Sequence, residues 1–92
     1  MSKALGYQQI TSLSASTALT IAQDENTRNA GRAIISPETQ NVRWRDDGTA
    51  PTASVGYLLA VGSELDYSGS LDNLRFIETA ASAKLNICYY GD

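Results

Sequence analysis

Hydrophobic and polar residues alternate with a period of two in the clearest segments of the chain. In NVRWR, at 41–45, Val42 and Trp44 alternate with Arg43 and Arg45. In AKLNICYY, at 83–90, the alternation separates two faces, one with Ala83, Leu85, Ile87 and Tyr89, the other with Lys84, Asn86, Cys88 and Tyr90. A period of two is typical of strands with one buried face, so both segments are predicted to be half-buried β-strands.

Other short segments rich in branched and aromatic residues are also predicted to be strands. These are RAII at 32–35, SVGYLLA at 54–60, ELDYS at 64–68 and LRFIE at 74–78, with YQQITSL at 7–13 and ALTIA at 18–22 as weaker candidates. From residue 31 onward, turn residues separate them at Gly31, Pro37, Gly48, Gly56, Gly62, Gly69 and Ser82. A short helix over 14–30 remains an alternative, because alanine is common there. About eight short strands between regular turns predict an all-β chain, a single β-sandwich domain of jelly-roll type over 1–92.

The alternation also predicts which side chains form the core. Six residues are expected to anchor it, namely Val42, Trp44, Leu74, Phe76, Leu85 and Ile87. Trp44 has an alternative role, because its ring could stack on a sugar and form a carbohydrate platform with Tyr57, Tyr67, Tyr89 and Tyr90. An alternating strand that pairs Trp44 with Val42 on one face favours the core.

Arg43 and Arg45 lie on the face of their strand opposite Trp44 and are predicted to project together. Two neighbouring guanidinium groups can bind carboxylates of another subunit through paired hydrogen bonds. The strand is therefore a predicted subunit interface. Pairing within the chain, with Asp66, Asp72 or Glu78, is the open alternative.

The next residues, Asp46, Asp47 and Gly48, are predicted to form a turn, because glycine accepts positive φ and aspartate accepts hydrogen bonds from nearby amides. A calcium site is the alternative, but the segment lacks the rest of an Asp-x-Asp-x-Asp-Gly loop. Pro51 fixes the backbone in GTAPTAS, which is predicted to cross between sheets or follow an edge. The full predicted interface is Arg43, Arg45, Asp46, Asp47, Thr49 and Pro51.

Charge and hydropathy limit the classes of partner. Seven basic and ten acidic residues give a net charge of −3, without the basic face that nucleic-acid binding requires. No apolar run approaches the ~20 residues of a membrane helix, and no apolar segment follows Lys3 as it would in a secretory signal. We expect a protein made in a cytoplasm that binds neither nucleic acid nor a membrane.

The chain has no histidine and one cysteine, Cys88. This composition removes Ser-His-Asp and Cys-His catalysis, an intramolecular disulfide and a thiolate zinc cluster. A carboxylate pair, Glu64 with Asp66 or Asp72 with Glu78, is the remaining hydrolytic alternative, but such a pair needs an enclosed cleft that a small domain seldom contains. We expect no enzyme activity, cofactor or metal.

Three segments resemble small virion proteins of tailed bacteriophages, whose sequences carry the patterns VRWRDDGT-PTA, LRFIE and A-LN-YY. In this chain they are VRWRDDGTAPTA at 42–53, LRFIE at 74–78 and AKLNICYY at 83–90. The resemblance implies a virion structural protein, a head decoration or cement protein that locks neighbouring capsid subunits, and no catalytic residues. Its implied partners are the major capsid protein or other virion proteins.

Two further expectations accompany this resemblance. A chain this short has a small core, so we expect a homo-oligomer, a dimer or a trimer, made in the host cytoplasm and located in the virion. The polar segment 1–16 is expected to be an extended arm that lies across a neighbour. A tail or baseplate module that binds a carbohydrate or receptor is the alternative function.

Overall fold

The computed structural model describes residues 3–91, which are almost wholly β-strands and connecting loops. The strands are β1 Lys3–Ile10, β2 Thr17–Ala18, β3 Arg32–Glu38, β4 Val42–Arg45, β5 Tyr57–Leu59, β6 Leu65–Tyr67, β7 Arg75–Glu78 and β8 Lys84–Gly91. A single 3₁₀ turn at Leu71–Asn73 precedes β7. The predicted all-β class with about eight strands is confirmed, and the alternative helix over 14–30 is wrong. Residues 1, 2 and 92 of the predicted domain lie outside the described residues.

The strands form two antiparallel sheets of four strands each. Sheet A has the order β1-β8-β3-β6 and sheet B has the order β2-β7-β4-β5. Strand β1 pairs with β8, β2 with β7, β3 with β6 and β4 with β5, so these pairs are nested along the chain. The chain therefore changes sheet at every connection except the one between β4 and β5.

Apolar residues from both sheets form one core. Five of the predicted anchors are fully buried, namely Val42, Leu74, Phe76, Leu85 and Ile87. In β8, Tyr89 is also buried, whereas Lys84 and Cys88 are exposed, as the alternation predicts. The two sheets thus face each other through the apolar sides of their strands, as in a β-sandwich.

Strand β1 starts earlier than the predicted segment 7–13 and ends at Ile10. Its register with β8 shifts between Ala4 and Gly6, so that Leu5 forms a bulge. After the shift, Ile10 lies opposite Leu85 and is buried. Residues 3–10 of the predicted arm 1–16 therefore pair with a strand of their own chain, and its first two residues lie outside the described residues.

Pro37 lies within β3 rather than at the predicted turn. Strand β6 pairs with residues 33–35 of β3, so beyond Ile35 the only strand within residues 3–91 that pairs with β3 is β8. Proline lacks the N–H that a second neighbour would need, and strands tolerate it at such a locally unpaired edge. The turn follows instead near Thr39, which has a φ of 78°.

A buried tyrosine of β8 makes a hydrogen bond to a side chain of β1. The hydroxyl of Tyr89, a residue only 1% exposed, donates a hydrogen bond to Oε1 of Gln8 at 2.6 Å. The same oxygen accepts a hydrogen bond from the amide of Thr20 at 3.2 Å. Burial raises the pKa of Tyr89 to about 12, because the core disfavours the charged phenolate.

We expect Tyr89 to make folding sensitive to alkaline pH. Its folded-state pKa lies above the unfolded value of about 10, so its contribution to stability is complete below pH ~10 and is lost as pH rises through about 12. Denaturant unfolding across this interval should show the decline in the wild type. The decline should be smaller in Tyr89→Phe than in the wild type. In Tyr57→Phe it should equal that of the wild type, because the Tyr57 ring is exposed. Equal declines in both variants would contradict the assignment.

Candidate functional site

Three aromatic rings meet where β4 ends. The ring centroid of Trp44 lies 5.0 Å from that of Tyr57 and 6.0 Å from that of Tyr67, which it contacts edge-on. Tyr57 belongs to β5 at the edge of sheet B, and Tyr67 belongs to β6 at the edge of sheet A. Trp44 is half-buried and packs against the core from outside, rather than lying fully within it as predicted. The Trp44 ring thus contacts an edge strand of each sheet.

The carbohydrate-platform alternative grouped four tyrosines with Trp44, and the structure brings only two of them to it. Tyr89 is buried in the core. The Tyr90 ring lies beneath the guanidinium group of Arg32, whose Cζ is 5.3 Å from the ring centroid. Tyr57 and Tyr67 therefore remain as the tyrosines that contact the tryptophan.

Asp46 connects the turn after β4 to sheet A through a side-chain hydrogen bond. The hydroxyl of Tyr67 donates a hydrogen bond to its Oδ2 at 2.7 Å. Burial raises the pKa of Tyr67, and the hydrogen bond to the Asp46 carboxylate raises it further. The raised pKa extends to higher pH the range in which the Tyr67 hydroxyl donates to Asp46.

Asp47 forms the turn together with Arg45. The guanidinium Nε of Arg45 donates to Oδ1 of Asp47 at 3.0 Å, and its Nη2 donates to Oδ2. These bonds lower the pKa of Asp47, and the Thr49 amide, 3.3 Å from Oδ1, also lowers it. Gly48 has a φ of 86°, so the predicted turn is confirmed. No group of three potential metal ligands occurs in residues 3–91.

Arg43 holds the loop that leads to β5. Its Nε donates to the carbonyl oxygen of Ala53 at 3.1 Å, and its Nη1 donates to that of Gly56 at 2.9 Å. The alternative that Arg43 or Arg45 pairs with Asp66 is wrong, since Asp66 forms its salt bridge with Arg32 at 2.8 Å. Arg43 and Arg45 therefore organise their own corner of the chain.

Replacing Arg43 with methionine is expected to lower the free energy of unfolding by about 1–2 kcal/mol, because two loop carbonyls lose a charged donor while the apolar stem remains. Arg28→Met is the matched control, because Arg28 is exposed on a loop. The control should change stability by less than ~0.5 kcal/mol. Denaturant unfolding measures both, and equal losses would contradict the role given to Arg43.

The predicted interface residues all lie in this corner but differ in exposure. Asp47 and Thr49 are exposed, whereas Arg43, Arg45 and Asp46 are half-buried. Pro51 is buried, with Gly56 packed against it, and does not reach the surface. Of the six predicted interface residues, Asp47 and Thr49 are therefore the two whose side chains are exposed.

Exposed apolar side chains follow directly after this corner. Val55, Tyr57, Leu58 and Val61 are 54%, 68%, 52% and 49% exposed, and we call them the edge patch. A shallow depression of about 400 Å³ lies beside them, lined by Arg45, Asp47, Val55, Gly56 and Tyr57. The other large exposed apolar residue among those described, Tyr7, lies on β1 in sheet A.

The sequence predicts the strand in SVGYLLA, but the exposure of the edge patch was not predicted. The signal was present, because the run from Val55 to Val61 contains no charged side chain and its only polar group is the hydroxyl of Tyr57. A strand with apolar residues on both faces can be covered by other elements on both sides, or it can leave the residues of one face exposed to solvent. Only its position at the edge of sheet B, which the sequence does not give, decides between these outcomes.

Comparison with protein-family models, with curated proteins and with solved structures gives no match for this chain. No helix within residues 3–91 is long and apolar enough to cross a membrane.

Proposed function

We propose that the protein is a structural component of a tailed-bacteriophage virion, a head decoration or cement protein that binds capsid subunits and has no catalytic role. The observation that carries this proposal is the edge patch. Four large apolar side chains are exposed within seven residues on and beside an edge strand, and a partner protein that covers this edge would remove them from water.

The resemblance to phage virion proteins involves the residues that shape this surface. VRWRDDGTAPTA supplies Arg43, which holds the loop, and Trp44, which packs beneath Tyr57. It also supplies Pro51, against which Gly56 packs. The segment that carries the resemblance therefore builds the support of the edge patch, which is expected if binding through this corner is the shared function.

The nested strand pairs support a jelly-roll interpretation, in which one long antiparallel hairpin is wrapped into two sheets. A compact module of this kind can occupy many equivalent lattice positions. Modest contacts are then sufficient, because a homo-oligomer, dimeric or trimeric, binds the major capsid protein at several points at once.

The test is to incubate the purified protein with capsids assembled without it. We expect the protein to co-sediment with the capsids and to appear in cryo-EM maps at repeated lattice positions, with the edge patch facing the capsid. Absence of the protein from both capsids and purified virions would overturn the proposal.

The exposed Tyr57 ring, tilted by 32° over Trp44 beside the Arg45–Asp47 pair, favours a second candidate, a tail or baseplate module that binds a carbohydrate or receptor. Titration with sugars should then change the tryptophan fluorescence of the wild type but not of Tyr57→Ala. An unchanged emission across a panel of host-surface glycans would remove this candidate.

A further inference from the structure

The four edge strands of the two sheets differ in how they are protected from further pairing. Strand β1 begins at Lys3 and bulges at Leu5, and β2 has only two residues. Strand β6 carries Asp66, which is paired with Arg32. Strand β5, Tyr57–Leu59, has no charge, proline or bulge. Charges, bulges and short length are the usual protections of sheet edges, and β5 has only its short length.

We propose that β5 is extended in the assembled particle by a strand from a neighbouring capsid subunit. This inference rests on the proposed function and specifies its mode of binding. The outer edge of β5 presents N–H and C=O groups with no partner strand within residues 3–91. Those groups select an extended polypeptide backbone, as in other cases of strand addition.

The surroundings of β5 define the side chains of the incoming strand. Arg43 donates to loop carbonyls and Arg45 is neutralised by Asp47, so the nearest charges already have partners. Leu58 and Tyr57 project from opposite faces of β5 and are both exposed. The matching segment is uncharged and has apolar residues on both of its faces, opposite Leu58 and Tyr57.

The length of β5 argues against a second free copy of the chain as the occupant. Stable interfaces bury about 1,200–2,000 Å² in total, and a three-residue edge provides only a small part of such an area. A segment already held in place by a capsid lattice needs less, because its effective concentration is high. A capsid strand is therefore the better match.

Amide hydrogen exchange of the full-length protein, free and bound to capsids assembled without it, tests this mode of binding. We expect outward amides of β5 to become protected on binding. Leu58→Lys should weaken capsid retention by about tenfold or more, because it places a charge beside the added strand. The control variant Ala18→Lys, at the opposite edge of sheet B and outside the edge patch, should weaken it by less than about threefold.

The experiment distinguishes a failure of strand addition from a failure of the proposed decoration function. Both lysine variants, at Leu58 and Ala18, replace exposed side chains, and unchanged thermal unfolding will verify that they fold. If the wild type binds capsids without β5 protection, or if the two variants lose retention equally, strand addition is overturned while the decoration function stands. If the wild type does not bind capsids, both are overturned.

Discussion

Replacing Phe76 with alanine is expected to lower the free energy of unfolding by about 3–5 kcal/mol, the largest effect of any single change considered. Phe76 is fully buried in β7, with Trp44 of β4 on one side and Thr17 of β2 on the other. Removing its ring leaves a cavity at the centre of sheet B, which a close-packed core fills only in part. The melting temperature should fall by at least ~12 °C, which thermal unfolding will measure.

Leu58→Ala is the control for this prediction. Leu58 lies in the same sheet but is 52% exposed, so its truncation should change stability by less than ~0.5 kcal/mol. Similar losses in the two variants would show that Phe76 is not the centre of the core. A fall of less than about 1 kcal/mol in Phe76→Ala would lead to the same conclusion.

Replacing Gly56 with alanine is expected to destabilise the fold by about 2–3 kcal/mol and to loosen the loop that supports the edge patch. Gly56 has a φ of 140°, which side-chain-bearing residues rarely adopt. An added Cβ would lie 3.1 Å from the Cβ of Pro51 and 3.2 Å from the carbonyl oxygen of Trp44. Moving away from these atoms would also displace the Gly56 carbonyl that accepts the hydrogen bond from Arg43.

Gly31→Ala is the matched control, because nothing lies within 4 Å of its added Cβ and its φ is not positive. It should leave stability within ~0.5 kcal/mol of the wild type. Denaturant unfolding of both variants, with capsid retention as a second measurement, tests the prediction. Wild-type stability and retention in Gly56→Ala would contradict the role of this loop.

The strands that could be predicted from sequence are those with one clearly apolar face. In β8, Leu85, Ile87 and Tyr89 are buried, and the alternation is visible without any structure. Strand β1 lacks such a pattern, because its bulge at Leu5 breaks the period and Gln8 accepts a hydrogen bond from a core tyrosine. A buried contact that depends on a partner so distant in sequence has no local signal.

The corner after β4 was predicted as a turn with an interface, but the partners of its arginines were not. Arg43 binds backbone carbonyl oxygens, and any residue type can supply a carbonyl. Arg45 selects Asp47, two residues away, rather than a distant carboxylate. The alternation in the sequence indicates the face of the strand from which a side chain projects. The conformation of the loop after Pro51 determines which carbonyl oxygens lie within reach of Arg43.

The pairing of β1 with β8 has a consequence for synthesis of the chain. Lys3 lies opposite Gly91, so β1 leaves the ribosome several seconds before its partner strand. Pairing across this distance is slow, because a long loop must close before the contacts form. During the delay the strand is unpaired and exposes Leu5, Tyr7 and Ile10 together with Lys3 and two glutamines. Until β8 is made, the charge of Lys3 and the bulge at Leu5 are therefore the features of β1 that limit its pairing with other chains.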